Sequence, residues 1–178
     1  MPVPTNPTDK LSPELLKEIL DDNARKFTVA EIEDTLFDTH ESNPYLMITD
    51  WLETDESEET KVVYKRFNDA QVQMLLIKKV TRDGNRTSEK TKITEQEYTE
   101  LVSKSKVHSE KIRTEFTYPQ DGVDFSMKFD QFIDSELRIL EVDASSDENR
   151  AAFDKVAFPA RLSEVTGNLQ YYGFRVAA

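Results

Sequence analysis

The chain has 178 residues, of which 37% are hydrophobic, and its formal net charge is −12. This length is typical of one domain with its own core, and the charge argues against nonspecific binding to nucleic acid or to an anionic membrane. Because the sequence has no cysteine, disulfides and thiolate metal sites are excluded. No apolar run is long enough to span a bilayer and the amino terminus lacks a signal-peptide pattern, so we expect a cytoplasmic protein.

The first half of the chain combines short helical patterns with strand patterns. Residues 11–20 predict a short amphipathic helix with Ser12 as its cap. A strand is predicted over residues 23–29, and Thr28 could cap a second helix over residues 30–37. Runs of apolar and β-branched residues then predict three further strands, over residues 45–52, 61–67 and 72–80.

The second half contains clearer boundary signals. Thr94 and Glu97 form a T-x-x-E capping box, which predicts a helix that continues through Val102. The sequence Pro-Gln-Asp-Gly at residues 119–122 predicts a tight turn between two strands. A helical pattern returns over residues 148–158 and is stopped by Pro159. The strands predicted around these features cover residues 85–93, 111–118, 125–130 and 140–143.

Alternation in the hairpin that begins at Phe125 separates apolar from charged side chains. Phe125, Met127 and Phe129 share one face of the strand, whereas Lys128 and Asp130 share the other. Several consecutive antiparallel strands with peripheral helices predict an α+β domain with a strongly curved or closed sheet. If helices cover the apolar faces, the charged faces converge inside the sheet. Two like charges about 4 Å apart at an effective dielectric constant near 20 cost about 4 kcal/mol, so a basic interior calls for an anion.

Basic residues are concentrated in the middle third of this acidic protein. Between Lys61 and Arg113 there are thirteen Lys or Arg and seven Asp or Glu, a net charge of +6, so the remainder carries −18. This distribution favours a local anion site over a broad nucleic-acid surface. The four glycines form no phosphate-binding loop, and His40 and His108 lack ligand-spaced neighbours. P-loop, dinucleotide, zinc and histidine-triad sites are therefore disfavoured, and both histidines are predicted to be ordinary surface residues.

Short motifs follow one another in order from Asp22 to Phe174. They are DNARKF from Asp22, ITDWL from Ile48, Tyr64 with Arg66, Leu76-Ile77-Lys78, RTSEKTKI from Arg86, Lys111 with Arg113, Asp130 with Phe132, Glu141 with Asp143, and EVTGNLQYYG from Glu164. In this order they resemble the motifs of the CYTH domains, also called triphosphate tunnel metalloenzymes. That family includes inorganic triphosphatases, thiamine triphosphatases, RNA triphosphatases and class IV adenylyl cyclases.

The resemblance implies an eight-stranded antiparallel β-barrel, a tunnel, over residues 22–178, with residues 1–21 as an N-terminal extension. The interior is expected to bind the triphosphate of a small molecule, and carboxylates are expected to hold Mg or Mn. Lys26 and Arg113 are also expected to be catalytic. The implied phosphate-binding residues are Lys26, Arg66, Lys78, Arg86, Lys111 and Arg113. The implied metal ligands are Asp22, Glu141 and Asp143.

Three positions depart from the family motifs, because Ala24, Ser88 and Lys90 stand where glutamates belong. Alanine cannot bind a metal ion, serine is a weak ligand, and lysine repels a cation. The basic set is therefore better preserved than the acidic set.

These observations leave several functions open. The first is metal-dependent hydrolysis of a linear triphosphate, either inorganic or carried by a small organic group. The second is binding or sequestration of a phosphate-rich ligand without turnover, which the departures in the acidic set favour. An adenylyl cyclase is a third option. The remaining alternative is a small α+β domain without a binding site, in which the charged faces of the strands are simply exposed to solvent.

Overall fold

The computed structural model describes residues 24–52, 58–67, 71–82, 85–133 and 135–171. The strands are β1 Arg25–Ile32, β2 Ser42–Trp51, β3 Glu58–Arg66, β4 Val72–Arg82, β5 Asn85–Lys92, β6 Val107–Gln120, β7 Val123–Phe132, β8 Arg138–Asp143 and β9 Ala160–Glu164. The α-helices are α1 Thr35–Thr39, α2 Glu95–Val102 and α3 Asp147–Ala152, with 3-10 turns at Phe153–Lys155 and Leu169–Tyr171. None of the helices in these ranges is long and apolar enough to cross a membrane.

The described strands belong to one sheet in the order β5-β4-β3-β2-β6-β7-β8-β1-β9. This arrangement confirms the predicted β-rich fold with few helices. It differs from the predicted eight-stranded barrel, because the sheet has nine strands and, within the described part of the chain, is not closed. The additional strand, β9, pairs with β1 and has the sequence ARLSE. Five residues without apolar alternation give no strand signal, which explains why β9 was not predicted.

The chain divides into two compact units. The hairpin unit comprises Asn23–Tyr45 and Lys111–Asn168, and the meander unit is built around Leu46–Glu110. The hairpin unit contains the ladders that join β6, β7, β8, β1 and β9. The meander unit contains consecutive antiparallel pairs from β2 to β5.

The core of the hairpin unit lies on one face of its strands, as the alternation predicted. Phe125, Met127 and Phe129 on β7 are at most 1% exposed. The helical segments cover them, since the ring of Phe37 in α1 stacks on Phe129 at 5.5 Å and the ring of Phe153 contacts Phe125 at 5.5 Å. Burial of each large side chain stabilises the fold by about 1.5–3 kcal/mol. The opposite face of the same strands is thereby left to polar side chains.

A tight turn sets the register of the β6–β7 hairpin. Asp121 and Gly122 have φ angles of 52° and 80°, and the flanking Gln120 and Val123 are paired. Positive φ at both central residues is typical of a type I′ turn, for which Asp-Gly is a preferred sequence. The predicted turn is confirmed. Through this register Arg113 stands opposite Asp130.

The meander unit has buried residues on both faces of its strands. Val62 and Val63, which are neighbours on β3, are both fully buried. Helix α2 contacts β3 and β4, and its Tyr98 ring lies 5.8 Å from the ring of Tyr64. The predicted start of α2 is confirmed, because the Glu97 backbone N–H donates to Thr94 Oγ1 at 3.1 Å.

Two helix predictions were wrong in position. Thr28 lies inside β1, because the segment predicted as a helix over residues 30–37 begins as a strand paired with β9. Cross-strand pairing overrides the local helical preference there. The helix predicted over residues 148–158 ends as α3 at Ala152 and continues as a 3-10 turn. The helix predicted over residues 11–20 lies outside the described residues.

Candidate functional site

The polar face of the hairpin unit carries both signs of charge on four neighbouring strands. The charged face, as we call it, consists of Lys26, Lys111, Arg113, Glu115, Lys128, Asp130 and Glu141. Cross-strand partners lie on the same side of a sheet, so the pairs Lys26 with Glu141 and Arg113 with Asp130 define this face. Four of the candidate residues identified from sequence lie here: Lys26, Lys111, Arg113 and Glu141.

Asp130 is the centre of the charged face. Its Oδ2 accepts from Lys111 Nζ at 2.8 Å and from Arg113 Nη2 at 2.8 Å, and its Oδ1 accepts from Arg113 Nε at 2.7 Å. The Asp130 side chain is 3% exposed, whereas those of Lys111 and Arg113 are 15% and 13% exposed. The carboxylate therefore lies beneath two cations that are themselves nearly buried. Charge-assisted and two-point hydrogen bonds of this kind are among the strongest in proteins.

The three groups of this cluster shift one another's pKa values. Burial alone would raise the pKa of Asp130, but the positive charges of Lys111 and Arg113 hold it well below its usual range. Burial alone would also lower the pKa of Arg113, yet its hydrogen bonds to Asp130 raise it. The pKa of Lys111 is lowered by burial and by repulsion from Arg113, which Asp130 offsets only in part. Asp130 is therefore ionised at neutral pH and stabilises the charge of both neighbours.

Tyr45 is a member of this site that the sequence analysis missed. It lies on β2, is 5% exposed, and its side chain interacts with Arg113. Burial, with the nearby carboxylates of Glu115 and Asp130, raises the pKa of Tyr45 to about 12. The phenol is thus neutral. No charged motif surrounds Tyr45 in the sequence, so only the fold identifies it.

The carboxylates predicted to bind metal are in different environments. Glu141 lies on the charged face with its Oε1 3.5 Å from Lys26 Nζ. Asp143 instead accepts from Arg150 Nη1 at 3.0 Å and from the Ala144 backbone N–H at 2.8 Å. Asp22 lies outside the described residues, and within the described ranges no three His, Asp or Glu residues are grouped as a metal site. Mg²⁺ commonly takes only one or two carboxylates and completes its shell with substrate phosphates and water, so Glu141 fits that role.

The remaining basic residues predicted from sequence lie in the meander unit. Arg66 pairs with Val72 and Lys78 pairs with Thr60, which places them six residues apart along the β3–β4 ladder. That spacing corresponds to about 20 Å, so the structure does not bring Arg66 and Lys78 together. Both are exposed.

The register of the meander unit also separates the motif residues by face. Lys78 shares a face with Tyr64, on which the α2 residue Tyr98 packs. The other face carries Lys61 and Lys90, which flank Ile77, together with Lys79 and Ser88. Arg86 occupies the register position opposite Thr81. The roles of Arg66, Lys78 and Arg86 in phosphate binding stay predictions.

His108 of the meander unit is more than a surface residue. Its Nδ1 lies 2.8 Å from Asp50 Oδ1 and its Nε2 lies 2.9 Å from Glu110 Oε1. Asp50 is 2% exposed, and its Oδ2 has no hydrogen-bond partner among the described residues. Burial alone would lower the pKa of His108, but the two carboxylates raise it. His108 therefore covers a buried carboxyl group, a relation that sequence spacing could not show.

A groove of about 700 Å³ adjoins the charged face in the hairpin unit. Glu115 and Lys128 line it together with Thr39, His40 and Ser126. The His40 ring is held 5.1 Å from the ring of Tyr118, and its Nδ1 lies 3.0 Å from the Leu36 carbonyl oxygen. The groove is therefore formed by the end of α1 and the β6–β7 hairpin.

The matches found among solved structures include two that cover most of the chain. The crystal structure of the inorganic triphosphatase NE1496 matches with a TM-score of 0.61 and 21% identity over 86% of this chain and 92% of that one. A crystal structure of the hypothetical protein NE1496 matches with a TM-score of 0.60, also at 21% identity, over 86% of this chain and 95% of that one. This chain has the fold of an inorganic triphosphatase.

The likeness to that triphosphatase fold is structural. No family model matches the sequence, and no curated protein matches it. The fold that the ordered motifs implied is thus supported, whereas membership of the family is not shown.

Proposed function

We propose that this protein binds a linear triphosphate, inorganic or attached to a small organic group, on its charged face and hydrolyses it with the help of Mg or Mn. One observation carries this proposal: Lys111 and Arg113 are held side by side, nearly buried, by a single carboxylate on a polar sheet face. Lys26 lies on the same face. The shared fold with a protein described as an inorganic triphosphatase supports the reaction class.

The cations of the charged face suit phosphoryl transfer because that reaction develops negative charge on phosphate oxygens. Arg113 has five N–H donors; Asp130 accepts from two of them and Tyr45 also interacts with the guanidinium, which leaves further donors for a ligand. Fixed donors that meet charge in the transition state lower the barrier more than they strengthen substrate binding. Lys26 and Arg113 would fill this role, and Lys111 would bind the phosphate chain.

A divalent cation would be held by Glu141, with Asp22 and Asp143 as the further candidates. When bound, such an ion neutralises phosphate oxygens and stabilises the leaving group. The hard carboxylate oxygen of Glu141 is the correct ligand type for Mg or Mn, and its loose 3.5 Å pairing with Lys26 can be exchanged. Lys26 would then contact a phosphate oxygen of the ligand.

Binding without turnover is a second candidate, and a specific observation favours it. Asp143 is engaged by Arg150, and Ala24 stands on the chain next to β1 where the family motif has a glutamate. Both features reduce the number of oxygen ligands available to a metal. In this case tripolyphosphate would bind to the charged face and remain intact.

The deciding experiment measures phosphate release from inorganic tripolyphosphate with Mg or Mn, with EDTA as the metal-free reference. Arg113→Gln should lower kcat/KM about a hundredfold, because a charge-assisted contact to the transition state is lost. Arg161→Gln is the matched control, since Arg161 is 72% exposed and only loosely paired with Glu31 at 3.9 Å.

Three outcomes of this experiment differ in meaning. Release that stops with EDTA and falls in Arg113→Gln supports hydrolysis on the charged face. Calorimetric binding of tripolyphosphate without release would select the second candidate. Equal losses in Arg113→Gln and Arg161→Gln would remove the charged face as the site.

A further inference from the structure

The charged face of the hairpin unit is close to electrical balance without any ligand. Its four cationic side chains stand against the carboxylates of Glu115, Asp130 and Glu141, and Asp143, which Arg150 engages, alternates with Glu141 on the same face of β8. The sequence analysis expected a self-repelling basic interior that calls for an external anion. The structure instead supplies anions from the chain itself, and the most buried of them is Asp130.

Asp130 is placed differently from the other two carboxylates. It contacts Lys111 and Arg113 through three hydrogen bonds of 2.7–2.8 Å, whereas Glu141 lies 3.5 Å from Lys26. Its side chain is 3% exposed, so a ligand that approaches from solvent meets Lys111 and Arg113 first. An incoming phosphate therefore shares these two cations with Asp130 and does not replace it.

We propose that Asp130 is a built-in counter-anion that sets the ligand selectivity of the charged face. This inference rests on the proposed function, because it assumes that the charged face is the ligand site. Asp130 already compensates one of the two charges of Lys111 and Arg113, so a small anion such as orthophosphate gains little there. A triphosphate can reach these cations and Lys26 together, and its larger charge outweighs the carboxylate.

The physical reason is the strength of charge interactions in a poorly solvated site. Two unit charges about 4 Å apart interact by about 4 kcal/mol at an effective dielectric constant near 20. Removal of one carboxylate would leave Lys111 and Arg113 to repel each other, and any anion that fits could take its place. Selectivity against small anions would then be lost, although the two cations are unchanged.

The test uses Asp130→Asn, which keeps the shape of the side chain and removes its charge. Asp124→Asn is the matched control, since Asp124 lies on the same strand, is exposed, and carries the same chemical change. Melting temperature and Kd are measured with orthophosphate and with tripolyphosphate at constant ionic strength. For Asp130→Asn we expect the ratio of the orthophosphate Kd to the tripolyphosphate Kd to fall about tenfold or more.

The effect of orthophosphate on the melting temperature is a second measurement. Substitution of a residue with only a structural role would not make the melting temperature depend on orthophosphate. Asp130→Asn should melt lower than the unsubstituted protein in buffer without multivalent anions and should recover much of the loss in orthophosphate. The unsubstituted protein and Asp124→Asn should respond little to orthophosphate. A lower melting temperature that orthophosphate does not restore, with an unchanged Kd ratio, would overturn the proposal.

Two further measurements keep the inference separate from the proposed function and from a folding failure. If Asp130→Asn does not fold, Asp130→Asn with Lys111→Met removes one charge of each sign and keeps the net charge of the cluster, so its Kd ratio should stay close to that of the unsubstituted protein; a fall in the ratio would reject charge compensation as the cause. If the unsubstituted protein binds no tripolyphosphate, the proposed function fails. Recovery of Asp130→Asn in orthophosphate would still show the counter-anion role, and the absence of recovery would reject it.

Discussion

The two units of this protein hold their buried carboxyl groups with different partners. In the hairpin unit a buried carboxylate, Asp130, holds two cations that are part of a polar face. In the meander unit a half-exposed histidine, His108, holds the buried carboxylate of Asp50. The first arrangement presents positive donors outward and suits an anionic ligand, whereas the second pairs a carboxyl group with an imidazole within the unit. Charge pairing alone therefore does not identify a binding site. The hairpin unit is distinguished because a ligand can reach its cations from solvent.

The two units also differ in how their strands are buried: β7 is buried on one face, whereas β3 is buried on both. On β7 the apolar face is at most 1% exposed at Phe125, Met127 and Phe129, and the other face is polar. On β3 the neighbours Val62 and Val63 are both fully buried. Period-two alternation identifies faces in the first case and not in the second.

The largest expected effect is loss of the hairpin-unit core. Phe129→Ala should lower the free energy of unfolding by about 3–5 kcal/mol, because it removes a buried ring and leaves a cavity. Urea denaturation measures the change, and Gln131→Ala, exposed on the same strand, is the control. A cost for Phe129→Ala no larger than that for Gln131→Ala would show that the apolar face of β7 is not buried.

A smaller effect tests whether the meander unit is buried on both faces. Val62→Thr and Val63→Thr should each lower the free energy of unfolding by about 1–3 kcal/mol, since each buries a hydroxyl in an apolar environment. Ser126→Ala on the polar face of β7 should change it by less than about 0.5 kcal/mol. A large cost for only one of the two valines would mean that β3 has a solvated face, like β7.

The smallest effect concerns the pH dependence of the His108 pair. Because the pKa of His108 is raised in the folded state, its contribution is fully present below its unfolded pKa of about 6.5 and is lost as pH rises through the folded pKa. The His108 side chain is 50% exposed, so we expect less than about 1 kcal/mol.

Melting temperatures of the unsubstituted protein and His108→Gln between pH 5 and pH 9 measure this contribution. The difference should be largest at the acidic end and shrink toward the alkaline end. A difference that grows with pH would mean that His108 is held neutral in the folded protein.

Much of the hairpin unit could be predicted because its signals are local. The alternation on β7 and the Asp-Gly turn depend on residues within a few positions of one another, and so does the Thr94 capping box of the meander unit. Lys111, Arg113 and Glu141 alternate with apolar residues on strands that have one buried face, whereas Lys26 came from the ordered motifs, and their roles as site residues stay predictions. Arg66 and Lys78 were chosen from the ordered motifs alone, and the strand that carries Arg66, β3, is buried on both faces at Val62 and Val63.

The sequence by itself determined the strand-rich architecture, the registers near tight turns and the concentration of basic residues that points to an anionic ligand. Those properties follow from side-chain periodicity, backbone preference and net charge, which act over short separations. Only the tertiary structure decided that Asp130 holds Lys111 and Arg113, that Arg150 engages Asp143, and that His108 covers Asp50, 58 positions away. These contacts depend on which strands become neighbours, and that is decided by burial of the whole core.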